Sequence, residues 1–70
     1  MFKINMDKKS DCAYIRVGNE KILYTEQKED WLMFDYSTNN KIVGIEILEV
    51  SKHKDAMANP DLIENYSRIV

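Results

Sequence analysis

The feature that most constrains the fold of this sequence is a pair of apolar runs joined by a polar turn. With Asn39 and Asn40 at the centre of the turn, alternate residues of the two runs face each other on one side of a hairpin. Each facing pair is apolar: Tyr36 with Val43, Phe34 with Ile45, and Leu32 with Ile47. A shift of one residue would move the apolar residues of one strand to the opposite face. We therefore expect an antiparallel hairpin formed by residues 31–36 and 41–50.

Alternation of apolar and polar residues predicts three further strands, at residues 2–6, 12–17 and 21–25. The pair Gly18-Asn19 suits a tight hairpin between the second and third strands. The polar residues 26–30 are expected to end the third strand. The predicted fold class is α+β, mainly β, with an antiparallel meander of about five strands.

A short C-terminal helix is predicted from residue 59 to residue 70. Asn59 suits the N-cap, Pro60 the first helical position, and Asp61 the positive end of the helix dipole. The 70 residues suffice for a single small domain, residues 1–70. In that domain residues 1–52 are expected to form the sheet and residues 59–70 the helix.

Composition limits the classes of partner and the cellular compartment that we expect for this chain. Ten Lys and Arg residues against twelve Asp and Glu give a net charge of -2, which provides no overall positive field for a phosphate backbone. No apolar run approaches the ~20 residues of a membrane span. The single cysteine, Cys12, is typical of a reducing compartment. We expect a cytoplasmic protein that binds neither nucleic acid nor membranes.

Several segments carry a resemblance to a known family. Residues 11–17 read Asp-Cys-Ala-Tyr-Ile-Arg-Val, residues 42–48 read Ile-Val-Gly-Ile-Glu-Ile-Leu, and Asp35-Tyr36 and Ser51 complete the pattern. Together they resemble domain-of-unknown-function family 2283, a group of small uncharacterised bacterial proteins, over about residues 1–52. The sequence departs from the family pattern at Cys12-Ala13, where Ala-Leu is usual, at Asn40 for Gly, and at Val50 for a small residue. Asn is the next best residue after Gly in a left-handed conformation, so the change at Asn40 is mild.

The resemblance implies a small domain without an established activity. Some members are encoded beside small toxin-like proteins, which implies an antitoxin-like role. The family supplies no catalytic residue to carry over to this chain.

Asp35 and Glu46 are the candidates for acid–base chemistry or for binding a metal or small ligand. They are expected on one face of the hairpin in a diagonal arrangement, where two carboxylates can share a proton or a divalent ion. The alternative is that both are solvent-facing residues paired with a basic side chain. One His and one Cys, His53 and Cys12, are too few for zinc and lack the partners of a triad. We predict no enzyme activity, no metal and no cofactor.

The first face of the predicted sheet is apolar and defines the expected core. Its residues are Phe2, Ile4, Met6, Ala13, Ile15, Val17, Ile22, Tyr24, Leu32, Phe34, Tyr36, Val43, Ile45 and Ile47. One helix can cover this face, but no second element is available for the other face. Either the sheet curves on itself or a partner covers the second face.

The second face supplies the candidate partner-binding residues, because apolar side chains interrupt its polar ones. These residues are Tyr14, Leu23, Trp31, Met33 and Leu48. The predicted function is a non-enzymatic protein-binding module that self-associates into a homo-oligomer, binds another protein, and is antitoxin-like. The alternatives are a phage or mobile-element inhibitor of a host defence system, and a small-ligand or metal-binding protein that uses Asp35 and Glu46.

Overall fold

The computed structural model describes residues 3–55, which form one five-stranded antiparallel sheet followed by a 3-10 helix. The strands are β1 (Lys3–Asp7), β2 (Cys12–Arg16), β3 (Tyr24–Glu29), β4 (Leu32–Tyr36) and β5 (Ile42–Ile47), and the 3-10 helix is Val50–Lys52. The predicted mainly-β fold of five antiparallel strands is confirmed. The predicted C-terminal helix at 59–70 lies outside the described residues. Between residues 3 and 55 no helix is long and apolar enough to cross a membrane.

The strand order across the sheet is β1-β2-β5-β4-β3, so the predicted meander is wrong. β5 lies between β2 and β4, with Ile15 of β2 facing Ile45 of β5. Residues 17–23 therefore form no tight hairpin at Gly18-Asn19, and they carry the chain past β5 and β4 to the far edge. Alternation along a strand reports its two faces and does not report its neighbours. The apolar strand β5 lies in the middle of the sheet and has a neighbour on each side.

The β4–β5 hairpin confirms most of the predicted register. Phe34 faces Ile45 and Leu32 faces Ile47, whereas Tyr36 faces Ile42 and not Val43 because a bulge lies beyond Asp35. The turn is longer than expected: the Asn40 N–H donates to Ser37 O at 3.1 Å, and the Ser37 N–H donates to Lys41 O at 2.9 Å. Asn40 has a φ of 60°, the left-handed conformation that its place in the turn requires.

β3 runs through the polar segment that was expected to end it. The side chain of Lys28 is 11% exposed and forms an ion pair with Glu26. Its Nζ lies 5.9 Å from the centroid of the Phe34 ring and 6.0 Å from that of Tyr36. Because the aliphatic stem of a lysine can cover apolar surface while its ammonium stays polar, these residues are compatible with an edge strand.

The core is the shared apolar face of β2, β4 and β5 together with Val50. Its buried residues are Ala13, Ile15, Leu32, Phe34, Tyr36, Val43, Ile45, Ile47 and Val50. The prediction was wrong for four residues of the expected core, which are exposed: Ile4, Met6, Ile22 and Tyr24. Val17 is half-buried against the core, and Phe2 lies outside the described residues. Ile4 and Met6 belong to an edge strand, and Ile22 precedes β3 on the connecting segment.

Candidate functional site

One row of facing residues crosses all five strands and centres on Gly44. Gly44 faces Arg16 on one side and Asp35 on the other. Lys3 of β1 and Thr25 of β3 end the row. Since side chains of one row project from the same face of a sheet, the row brings together polar residues that are far apart in sequence.

Tyr14 lies two residues along β2 from Arg16, in the next row on the same face, and its side chain crosses β5 above Gly44. Its hydroxyl donates to Asp35 Oδ2 at 2.6 Å, while Thr25 donates to Asp35 Oδ1 at 2.5 Å. A Cβ placed on Gly44 would overlap the Tyr14 hydroxyl, and would lie 2.6 Å from Tyr14 Cζ and 3.0 Å from Asp35 Oδ2. Only glycine leaves room for this arrangement. We refer to Tyr14, Thr25, Asp35 and Gly44 as the Gly44 cluster.

The Gly44 cluster joins three strands by hydrogen bonds to one carboxylate. Burial of the ring, and then the hydrogen bond to Asp35, raise the pKa of Tyr14 above its usual value. The Tyr14 hydroxyl is therefore uncharged at neutral pH and donates a hydrogen bond, and both Asp35 oxygens accept hydrogen bonds from hydroxyl groups. These hydrogen bonds tie β2 to β4 across the face of β5 and tie β3 to its direct neighbour β4.

Asp35 and Glu46 share a face in the diagonal arrangement that the sequence predicted. Asp35 faces Gly44, and Glu46 faces both Tyr14 and Met33 in the next row. In the stretch 3–55, no group of three or more His, Cys, Asp or Glu residues is placed to hold a metal ion. The interactions that the structure gives Asp35 are with hydroxyl groups of the chain itself.

Arg16 fixes the segment that replaces the predicted hairpin. Its Nε donates to Gly18 O and its Nη2 donates to Glu20 O, both at 2.6 Å. Val17 adds a backbone hydrogen bond of 2.9 Å to Val43 O. The guanidinium therefore holds the start of the crossing segment against the end of β2.

Asp11 and Ser51 form a second contact between distant parts of the chain. The Ser51 hydroxyl donates to Asp11 Oδ2 at 2.6 Å, and the Ser51 N–H lies 3.1 Å from Asp11 Oδ1. The Val50 N–H donates to Asp11 O at 2.8 Å. Asp11 has a φ of 57°, so this clasp holds the β1–β2 turn against the 3-10 helix in a left-handed conformation.

The residues of the Gly44 cluster and of the clasp lie within the sequence that matches a family model. That model is described as Protein of unknown function (DUF2283) and matches residues 3–51. The chain belongs to this family. No curated protein and no solved structure matches the chain. The DUF2283 segment covers the whole sheet and ends at Ser51, the residue that closes the clasp.

The five predicted partner-binding residues of this DUF2283 chain are distributed over three places. Tyr14 and Met33 flank Glu46 in one row. Trp31 packs against the core and stacks on His53 with ring centroids 3.8 Å apart, and its carbonyl accepts from the Leu48 N–H. Leu23 stands apart and is 62% exposed, whereas the other four are half-buried.

The outer edge of β1 is a feature that the sequence did not single out. All five residues of β1 are exposed, including Ile4 at 56% and Met6 at 52%. Both had been assigned to the core, since alternation does not distinguish an edge strand from a central one. The sequence did contain a signal for an edge strand: the segment Lys3–Asp7 has a charged residue at each end, and charged side chains are common on edge strands.

Proposed function

We propose that this DUF2283 protein is a non-enzymatic protein-binding module that self-associates through the outer edge of β1. The observation that carries the proposal is an exposed edge strand with apolar side chains. Within residues 3–55 the neighbour of β1 is β2, and the opposite side of β1 is unpaired. Such an edge presents backbone N–H and C=O groups that pair readily with another strand.

The two edges of the sheet differ in a way that favours β1. β3, at the opposite edge, carries Glu26, Lys28 and Glu29 and a bulge after Gln27. Charged residues and bulges are common protection against pairing at sheet edges. The centre of β1 has neither feature, because Ile4, Asn5 and Met6 are uncharged and pair with β2 in regular register.

The apolar side chains of β1 extend the core face to the edge of the sheet. Ile4 faces the buried Ile15, and Met6 faces the buried Ala13. A strand added to β1 would cover Ile4 and Met6 and so remove apolar surface from water. Hydrogen bonding and apolar burial therefore favour the same docking site.

The Gly44 cluster supports a binding module more than a reactive centre. Its carboxylate oxygens accept hydrogen bonds from the hydroxyl groups of Tyr14 and Thr25, and these contacts span β2, β4 and β3. A sheet tied across its face in this way is a rigid support for an edge that binds other strands.

Size-exclusion chromatography with light scattering, carried out at protein concentrations from micromolar to millimolar, tests the proposal. We expect the unmodified chain to form a dimer, Met6→Lys to be monomeric, and the matched variant Gln27→Lys at the other edge to remain dimeric. A lysine at an exposed edge opposes pairing through its charge and hydration. A chain that stays monomeric at every concentration, or equal loss of association in both variants, contradicts the proposal.

The antitoxin-like role, inhibition of a host defence system and the cytoplasmic location stay predictions from the sequence. Co-purification with the products of adjacent genes tests the first two. Under the present proposal, Met6→Lys would release such a partner and Gln27→Lys would retain it.

A further inference from the structure

We infer that the partner at β1 is a second copy of this chain, whose β1 pairs antiparallel about a two-fold axis at Asn5. The inference rests on the proposed function and adds the identity and register of the bound strand. It predicts a continuous sheet of ten strands, five from each copy.

The sequence of β1 is complementary to itself in this register. Lys3 faces Asp7 of the partner subunit, Ile4 faces Met6 of the partner subunit, and Asn5 faces its own copy. The two-fold axis repeats the Lys3 and Ile4 pairs, so the dimer contains two opposite-charge pairs and two apolar pairs. Interfaces of this kind, in which one patch binds itself, are typical of symmetric dimers.

Other registers lack this complementarity. Parallel pairing sets each lysine beside a lysine and each aspartate beside an aspartate. An antiparallel shift by two residues sets Lys3 opposite Asn5 of the partner subunit and leaves Asp7 without a facing residue in β1. Because like charges directly opposite each other destabilise a strand pair, the register centred on Asn5 is the one that the charges favour.

The backbone of β1 is compatible with the same register. Val17 directs its N–H to Val43 of β5, so by alternation Arg16 and Tyr14 direct theirs to β1. Their facing residues in β1 are Lys3 and Asn5, which leaves the backbone groups of Ile4 and Met6 pointing outward. In an antiparallel pair, residues whose backbone N–H and C=O groups point toward the other strand must face each other. Ile4 opposite Met6 of the partner subunit satisfies this rule.

Each face of the extended sheet has the same polarity on both sides of the two-fold axis. Ile4 and Met6 lie on the face of Ile15 and Ala13, while Lys3, Asn5 and Asp7 lie on the face of Arg16, Tyr14 and Cys12. Apolar pairs therefore join the two core faces, and charged pairs remain on the polar face.

Disulfide trapping in the full chain tests the register. Cys12→Ser first removes the cysteine of the chain, and Asn5→Cys, Lys3→Cys and Asp7→Cys are then made separately. Residues facing each other in a non-hydrogen-bonded pair have Cα atoms about 4.5 Å apart, within the range of a disulfide. We expect Asn5→Cys to cross-link with itself, and Lys3→Cys to cross-link with Asp7→Cys when the two are mixed. Lys3→Cys alone and Asp7→Cys alone should cross-link at least tenfold more slowly.

Charge exchange provides a second measurement that does not need a disulfide. Lys3→Asp and Asp7→Lys should each raise the dimer Kd several-fold, because each homodimer then contains two like-charge pairs. An equimolar mixture of the two variants should form the heterodimer preferentially, since both of its pairs regain opposite charges. Fast self-cross-linking of Lys3→Cys, or no preference in the mixture, overturns the inferred register. A dimer that Met6→Lys disrupts but that shows none of the cross-links refutes the register and leaves the proposed function standing. A monomeric unmodified chain refutes both.

Discussion

The side chain of Tyr14 occupies the space in which a side chain on Gly44 would lie. The two residues belong to the neighbouring strands β2 and β5, and the Tyr14 hydroxyl passes over Gly44 to donate to Asp35 at 2.6 Å. This relationship gives a physical reason for the glycine in a strand whose other residues are Glu46 and β-branched apolar residues. It also connects two segments on which the family resemblance rests, Tyr-Ile-Arg and Val-Gly-Ile-Glu.

Gly44→Ala should destabilise the fold by about 1–3 kcal/mol, because the added methyl overlaps the Tyr14 hydroxyl and forces a shift in a packed site. Urea denaturation followed by circular dichroism measures the loss. Gly18→Ala is the matched control, since the contacts of its new methyl are the flexible end of Glu20 at 3.1 Å and Val43 Cγ1 at 3.3 Å. In a Tyr14→Ala background the cost of Gly44→Ala should fall by more than half. An equal cost in both backgrounds would show that the overlap is not the cause.

Tyr14→Phe and Thr25→Val should each reduce the free energy of unfolding by about 1 kcal/mol, since each removes one hydroxyl that donates to Asp35. The double variant should lose more than the sum of the two single losses. After both substitutions the carboxylate retains neither hydroxyl partner, whereas either single variant leaves one. A double-mutant cycle in urea measures this coupling. Strict additivity would contradict a shared role for Asp35.

Ser51→Ala should cost about 0.5–2 kcal/mol through loss of a side-chain bond to a carboxylate, comparable with the loss of a helix cap. Asp11→Ala should cost more, because alanine removes the acceptor and also disfavours the φ of 57°. Asp11→Gly separates the two effects, since glycine keeps the left-handed conformation but not the acceptor. Thermal unfolding of the three variants should rank Asp11→Ala as the least stable. Equal melting temperatures for Ser51→Ala and the unmodified chain would contradict the clasp.

The fold should lose stability at alkaline pH. Burial is the first cause that raises the pKa of Tyr14 and of Tyr36, against the opposing charge of Lys28 in the case of Tyr36. A pKa that is higher in the folded state than the usual value near ~10 in the unfolded state means that folding favours the neutral phenol. That stability is complete below about pH 10 and is lost as the pH rises through the folded-state pKa.

Unfolding free energies measured from about pH 8 upward, together with tyrosinate absorbance, test this pH dependence. Tyr14→Phe should make the alkaline decline shallower, because one group with a raised pKa is removed. An alkaline decline that is as steep in Tyr14→Phe as in the unmodified chain would contradict the prediction for this residue.

Part of the candidate site could be read from the sequence. Asp35 and Glu46 were placed on one face from the facing pairs of a single hairpin, and the register at Phe34 and Ile45 confirmed that placement. The partner of Asp35 could not be found in this way. Tyr14 lies 21 residues away in sequence, and the predicted meander did not make β2 a neighbour of β5.

The sequence by itself determined the number of strands, the buried face of β2, β4 and β5, and the β4–β5 hairpin, because these depend on alternation and turn residues within short segments. Only the tertiary structure decided that β5 enters between β2 and β4, that Tyr14 crosses Gly44, and that β1 becomes an exposed edge. The reason is that an apolar face specifies burial but not the identity of the neighbour that provides it. The pairing of all five strands decides which neighbour buries each apolar face, and it places Ile4 and Met6 on an edge strand.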